Sequence, residues 1–372
     1  MPDKMKYFRL VLLFSFAGIV LAVAAFSCST REKSDFSEKE WHKRVRQTDT
    51  GDLYAPHFQN GRFFNPWLEM DDKSILSVLG WKLFSQTEYS DKENSFLPRV
   101  LPDTAQRLER TKGDFILWIG HNTFLLRIGG EYWLTDPIFS KRALLPARIT
   151  PPAILIENLP VSGENLHIVI SHNHYDHLDR SSMEQLPENA SVYVPEGLGT
   201  YVEKMNKQTV HEMDWWEEKQ AGPHSRIVCL PAQHWSMRIG QGRNRTLWAS
   251  WLLVTPGATL YFGGDSGYFN GFREFGRKYP SIDYAFLATT AYHPRWFMHY
   301  QHMNINEAVR AFDELGARFF IPTQWGTFRL GNEPAGFPGL DLERYIRANN
   351  LDPSRFSIMD IGEILPIQEK SD

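Results

Sequence analysis

In Ser171-His172-Asn173-His174-Tyr175-Asp176-His177-Leu178-Asp179, three histidines and a carboxylate fall at alternate or adjacent positions within 172–177. The apolar run 166–170 ahead of it reads as a buried strand, and 180–186 beyond it reads as the start of a helix. A strand that ends in a tight, donor-rich loop holds its side chains on rigid scaffolding, as a metal site requires. His172 and His174, two apart in extended chain, project to one side. Asp176 and His177 follow the turn and can face a second position. Imidazole and carboxylate without thiolate suit a borderline or hard divalent ion that keeps its Lewis acidity, zinc being the commonest. A surface loop that is merely rich in histidine is the plainer alternative, and the order x-His-x-His-x-Asp-His argues against it.

The 372 residues are 42% hydrophobic and 14% aromatic, ample for one large core or two small ones. Net charge is −4 and no basic run stands out, so nucleic acid is not an expected partner. With 12 tryptophans and 25 phenylalanines, some aromatic rings are expected in the core and some along an apolar substrate cleft.

Residues 1–28 read as a secretory signal. Lys4, Lys6 and Arg9 precede the apolar run 10–26, and polar sequence follows at once. Ala25-Phe26-Ser27-Cys28 resembles a bacterial lipobox in which Cys28 is lipidated, although Phe26 departs from the usual residue; an uncleaved anchor is the alternative. Either reading puts the catalytic part in the cell envelope, facing periplasm or exterior, held at a membrane surface. Residues 29–55 are expected to be a polar tether, with one short helix within 30–50, and 56–372 the catalytic domain. With Cys28 carrying lipid, Cys229 has no disulfide partner and reads as a buried small hydrophobe.

Helical spacing appears at 75–84. From Asp114 the pattern is sheet-like, with strands at 115–119, 123–128 and 131–135, the last two joined by Gly129-Gly130. Beyond the histidine loop, strands are expected at 192–194, 209–213, 226–230, 247–254, 259–262, 284–288 and 319–321. Helices are expected at 197–205, 269–275, 305–315 and 340–348. Interspersed strands and helices predict a layered α/β fold.

Two further donors stand at strand ends: His234 in Leu230-Pro231-Ala232-Gln233-His234-Trp235, and Asp265 in Phe262-Gly263-Gly264-Asp265-Ser266-Gly267. The glycines let the backbone turn sharply beside a ligand, and an aspartate between them can bridge two cations. Alone, each reads equally as a core histidine or a turn residue. The order His-x-His-x-Asp-His, then His, then Asp, resembles the metallo-β-lactamase fold superfamily, an α/β fold built as an αββα four-layer sandwich. Trp118-Ile119-Gly120-His121-Asn122-Thr123-Phe124, Leu134-Thr135-Asp136-Pro137, Asp214-Trp215-Trp216 and Gln233-His234-Trp235 look like its branch containing N-acylphosphatidylethanolamine-hydrolysing phospholipase D. So do Ala291-Tyr292-His293-Pro294-Arg295-Trp296-Phe297-Met298, Tyr300-Gln301-His302 and Trp325-Gly326-Thr327-Phe328. The match runs over about 57–334. Ascorbate-phosphate lactonases share its outline with fewer of these words.

The resemblance implies two zinc ions. His172, His174 and His234 would hold the first, Asp176 and His177 the second, with Asp265 bridging. The family has a histidine directly before Trp-Gly-Thr-Phe as a ligand of the second ion, and here that residue is Gln324, whose neutral carboxamide is a weaker zinc ligand. The family has an acidic residue before Pro-Arg-Trp-Phe, and here it is His293. The second site is therefore expected to be weakened or to take another divalent metal, with His293 as a compensating ligand. The implied reaction is phosphodiester hydrolysis by a metal-activated hydroxide, which releases N-acylethanolamine and phosphatidic acid from N-acylphosphatidylethanolamine. Asp176 would orient the nucleophile. His121 and His302 are candidates for phosphate contact or leaving-group protonation, or else for orienting ligands. Arg295 reads as a phosphate clamp or, more commonly, a loop-holding ion pair, and Asp136 as the partner of a ligand histidine.

The expected partners are a phospholipid or other phosphodiester substrate and the membrane surface, with residues near 58–67 and 296–298 receiving acyl chains; a homodimer is left open. A lactonase or other ester hydrolase on the same fold would use the same metals with a more polar pocket. A nucleotide phosphodiesterase is discouraged by the missing basic patch. Gln324 suggests the remaining rival, a lipoprotein that binds metal or lipid without turnover.

Overall fold

Every residue of β1 (Phe115–Gly120) is buried, and the two-residue pleat divides them between two cores. Ile116 and Trp118 face the larger core, whereas Phe115, Leu117 and Ile119 face a second one. The computed structural model describes residues 20–27, 33, 35–70, 73–85, 87–162 and 165–368; most of the expected signal, and Cys28 with it, lies outside the described residues.

β1, β2 (Thr123–Ile128) and β3 (Glu131–Thr135) are antiparallel. Gly129 and Gly130 turn the hairpin at φ 59° and 86°, a conformation glycine adopts without steric cost. β4 (Leu166–Val169), β5 (Ser191–Pro195) and β6 (Thr209–Met213) continue this sheet in parallel. In the second sheet β7 (Glu218–Gln220), β8 (Arg226–Leu230), β9 (Ser250–Val254) and β10 (Thr259–Phe262) are antiparallel. β11 (Tyr284–Ala288) and β12 (Phe319–Thr323) extend it in parallel. β13 (Ile364–Pro366) returns to pair with β1 at the edge of the first sheet.

The inner faces meet through Leu126, Trp133 and Val169 on one side and Ile227, Trp251 and Phe286 on the other. The helices Arg180–Gln185 and Gly199–Glu203 cover the first sheet with Met183 and Val202. The helices Gly271–Lys278 and Ile305–Leu315 cover the second with Phe272, Phe275 and Phe312. This is the expected four-layer αββα sandwich.

The departures have physical causes. Residues 247–249 were expected to begin β9, but the Leu247 and Ala249 amides donate to Glu196 O and Ser171 O at 2.8 and 2.9 Å. They tie the approach to β9 to the end of β5 and to the histidine loop instead of joining the ladder. β7 is exposed along its whole length, so it lacks the apolar alternation by which a strand is read. Within 30–50 the helix Glu38–Arg46 is capped by Ser37, and its Trp41 and Val45 are buried in the larger core.

Candidate metal centre

The ends of β4, β8, β10 and β12 and the turn between β1 and β2 deliver their side chains to one place. Ligand atoms of His172, His174, His234 and Asp265 all lie within 4.8 Å of one another, as do those of His121, Asp176 and His177. In the first group His174 Nδ1 is 2.7 Å from His172 Nε2 and 3.3 Å from His234 Nε2. Asp265 Oδ2 is 3.7 Å from His172 Nε2 and 3.5 Å from His234 Nε2. In the second group Asp176 Oδ2 is 3.1 Å from His121 Nε2 and 3.3 Å from His177 Nε2. Asp265 Oδ2 also lies 3.4 Å from His177 Nε2, which is the bridging position.

These residues fit a pair of divalent cations. Donors bound at ~2.0–2.1 Å in a tetrahedron stand roughly 3.4 Å apart, and all but the His172–His174 pair are close to that. His177 Nε2 is buried without a hydrogen-bond partner, a state that a cation relieves.

The far sides of the rings set their tautomers. His177 Nδ1 donates to Asp136 Oδ2 at 2.7 Å, and His234 Nδ1 donates to Gln301 O at 3.3 Å. Ser171 Oγ donates to Asp136 Oδ2 at 2.7 Å and so can accept from His172 Nδ1 at 2.9 Å. Each bond leaves the Nε2 lone pair facing the centre. Gly264, at φ 56°, permits the approach: a Cβ there would lie 2.5 Å from Ser171 Cβ.

Burial holds His172 and His234 well below the usual imidazole range and His174 down to about 4, so all three are neutral donors. Burial also opposes charge on His177, but Asp265, Asp176 and Asp136 outweigh it and raise its proton affinity. Burial disfavours the charged forms of Asp176 and Asp265, yet His177 beside them holds both well below the carboxylate range. A pocket that binds a proton this tightly at His177 has the negative potential that attracts a cation.

His302 sits beside the first group, its ring 5.6 Å from that of His234 and its buried Nδ1 without a partner. His293 is not brought to either group. Its Nδ1 bonds Tyr89 Oη at 2.7 Å, and its backbone amide donates to Glu333 Oε2 at 3.2 Å, so the expected compensation from His293 is corrected. Gln324 Nε2 donates to Asp265 Oδ1, while its Oε1 is buried without a partner. Arg295 is the ion-pair residue: it bonds Glu38 at 2.5 Å, Glu307 at 2.8 Å and His302 O at 2.9 Å. A cavity of about 490 Å³ reaches His234, with Arg62, Phe63, Phe64, Arg243 and Trp248 among its walls. The two arginines escaped the sequence reading because neither lies in a motif.

The fold and this centre are those of a hydrolase family. A β-lactamase superfamily domain matches residues 132–325, and the chain belongs to that superfamily. An uncharacterized protein of Mycobacterium tuberculosis is 34% identical over 312 residues, covering 79% of this chain and 80% of its own length. The N-acyl-phosphatidylethanolamine-hydrolyzing phospholipase D 1 of Caenorhabditis elegans is 33% identical over 296 residues, covering 74% and 82%. Among solved structures, a metallo hydrolase from the archaeon Ignicoccus hospitalis shares the fold, with a TM-score of 0.52 and 19% identity over 69% of this chain and 99% of that one. The chain is a metal-dependent hydrolase of the metallo-β-lactamase fold.

Proposed function

We propose that the chain hydrolyses the phosphodiester of an N-acylated phospholipid, releasing N-acylethanolamine and phosphatidic acid from N-acylphosphatidylethanolamine. The observation that carries this reading is the cavity at His234, where Arg62 and Arg243 stand with Phe63, Phe64 and Trp248. A lipid phosphodiester combines one anionic centre with long apolar chains. Guanidinium groups suit phosphate oxygens, and an aromatic wall suits acyl chains. The similarity to the nematode phospholipase D supports the same choice.

Zinc is the ion we assign. When bound, zinc supplies a water whose pKa falls from ~16 towards ~7 and neutralises charge on a phosphoryl oxygen. Asp176, half-buried between His121 and His177, orients the attacking water. To His302 we assign the relay of a proton to the leaving oxygen: burial keeps the ring neutral, so it takes up the proton that the attacking water loses and passes it on, and its buried Nδ1 has no partner. We further propose that residues 1–28 carry the enzyme to the envelope membrane, with lipid on Cys28, so that the centre works at a bilayer surface.

Zinc-loaded full-length protein incubated with N-acylphosphatidylethanolamine vesicles should release both products, detected by mass spectrometry, and chelation should stop the release. Folded, metal-bound protein that releases neither product would sink the lipid reading, and turnover of a lactone instead would replace it. Labelled palmitate should enter the wild-type chain but not Cys28→Ser; an unlabelled wild type would remove the anchor.

A further inference from the structure

We propose that His121 is a ligand of the second metal, and that Gln324 serves this metal position by holding the bridging carboxylate. Metal dependence is all this requires, so the inference stands apart from the substrate proposed above. His121 Nε2 lies 3.1 Å from Asp176 Oδ2, closer than the 3.3 Å between His177 Nε2 and the same oxygen. Its ligand atom therefore belongs to the same group as those of Asp176 and His177.

The other ring nitrogen settles what Nε2 presents in the neutral ring. His121 Nδ1 donates to Gln324 O at 3.2 Å, and a carbonyl only accepts. The Nε2 lone pair then faces a carboxylate oxygen with no proton between them. Two acceptors at 3.1 Å repel unless a cation sits between them or the ring carries a second proton. The cation is the reading that also accounts for His177 Nε2, unpartnered on the other side of Asp176.

The ring is held in place. His121 is wholly buried; its amide donates to Thr327 Oγ1 at 2.8 Å, and its carbonyl accepts from Trp118 Nε1 at 2.9 Å and Gln324 N at 3.1 Å. His121 and Gln324 both lie in the left-handed region, at φ 54° and 72°. Non-glycine residues rarely adopt that conformation, and such strain persists where surrounding bonds over-determine it. Here the two strained residues hold each other.

Gln324 has a different role. Its Nε2 donates to Asp265 Oδ1. Turning the amide over would set Oε1 against that carboxylate, acceptor against acceptor, so the amide keeps its orientation and fixes Asp265 with Oδ2 towards both groups.

The test counts ions. Full-length protein is stripped with chelator, reloaded with zinc, desalted and measured by mass spectrometry for zinc per chain. Wild type should hold two ions. His121→Asn removes the imidazole but keeps a residue that tolerates positive φ; it should keep one ion and bind the second at least tenfold more weakly. Gln324→His in the His121→Asn background should restore the second ion. Retention of both ions at wild-type affinity by His121→Asn would overturn the assignment in favour of a protonated His121 paired with Asp176. A single ion in the wild type would overturn it as well. A measurement without mutation guards against a variant that fails to fold. Proton NMR of the cobalt(II)-loaded wild type should show metal-shifted signals from five imidazoles if His121 binds, and a count of four would refute it.

Discussion

Asp136 does its work without touching either metal position. Its Oδ2 accepts from Asn122 Nδ2 at 2.8 Å, Ser171 Oγ at 2.7 Å and His177 Nδ1 at 2.7 Å, and its Oδ1 accepts from the Ser171 amide at 2.7 Å. Four donors converge on one acceptor-only group, so an amide is a poor substitute: either orientation of an asparagine sets an N–H against another donor. Asp136→Asn should leave the fold intact by circular dichroism and weaken zinc binding at the second metal position about 10- to 100-fold, the usual cost of losing a partner of a ligand histidine. Unchanged zinc affinity would mean that His177 needs no such support.

At the scale of elements, the helix Glu38–Arg46 closes over the segment that carries His302. His42 Nε2 bonds Glu307 Oε1 at 2.8 Å, and Arg295 joins Glu307 to Glu38. Glu38, His42 and Glu307 form a third cluster of potential ligands, but the Arg295 guanidinium already supplies its positive charge. Beneath the helix His299 packs against Phe36 and Trp41, with ring centroids 4.5 and 4.6 Å apart. Burial lowers its pKa to about 4; the bond to Arg295 O and the charge of Glu307 oppose this, and the charges of Arg295 and Lys73 add to it. The folded protein therefore keeps His299 neutral where the unfolded chain would bind a proton. The contribution of His299 to stability is fully present above pH 6.5 and is lost as pH drops from there through about 4, by up to about 1.4 kcal/mol per unit. Urea unfolding at pH 7.5 and 5 should show the loss, and His299→Gln should reduce it. An unaltered pH slope in that variant would place the acid sensitivity elsewhere.

At the scale of the molecule, the first metal position draws His172 and His174 from the first sheet and His234 and Asp265 from the second. An ion there joins the two halves of the sandwich, and binding energy becomes folding energy. Free zinc at a hundred times its dissociation constant stabilises the fold by about 2.7 kcal/mol per site. Chelated protein should melt several degrees below the zinc-loaded form, with the midpoint rising as zinc is returned. A melting temperature indifferent to zinc would contradict a structural link between the sheets.

The local sequence determined what is local: hairpins, strand periods, and the loop 171–179, whose donors follow one another along a few residues of extended chain. β2, β3, β6, β8, β10 and β11 and the helix Ile305–Leu315 fall at the residues the sequence predicts; β2, β8, β10 and β11 are buried nearly throughout and read as short apolar runs bounded by turn residues. His234 and Asp265 were legible only through their order, since each alone reads as an ordinary residue. What the tertiary structure decided was which side chains meet. His121 comes 55 positions before Asp176 yet stands beside it, and His293, placed near the centre by its motif, turns instead to Tyr89. Periodicity says which face a residue occupies; the packing of two sheets and the strained pair His121 and Gln324 decide what that face touches.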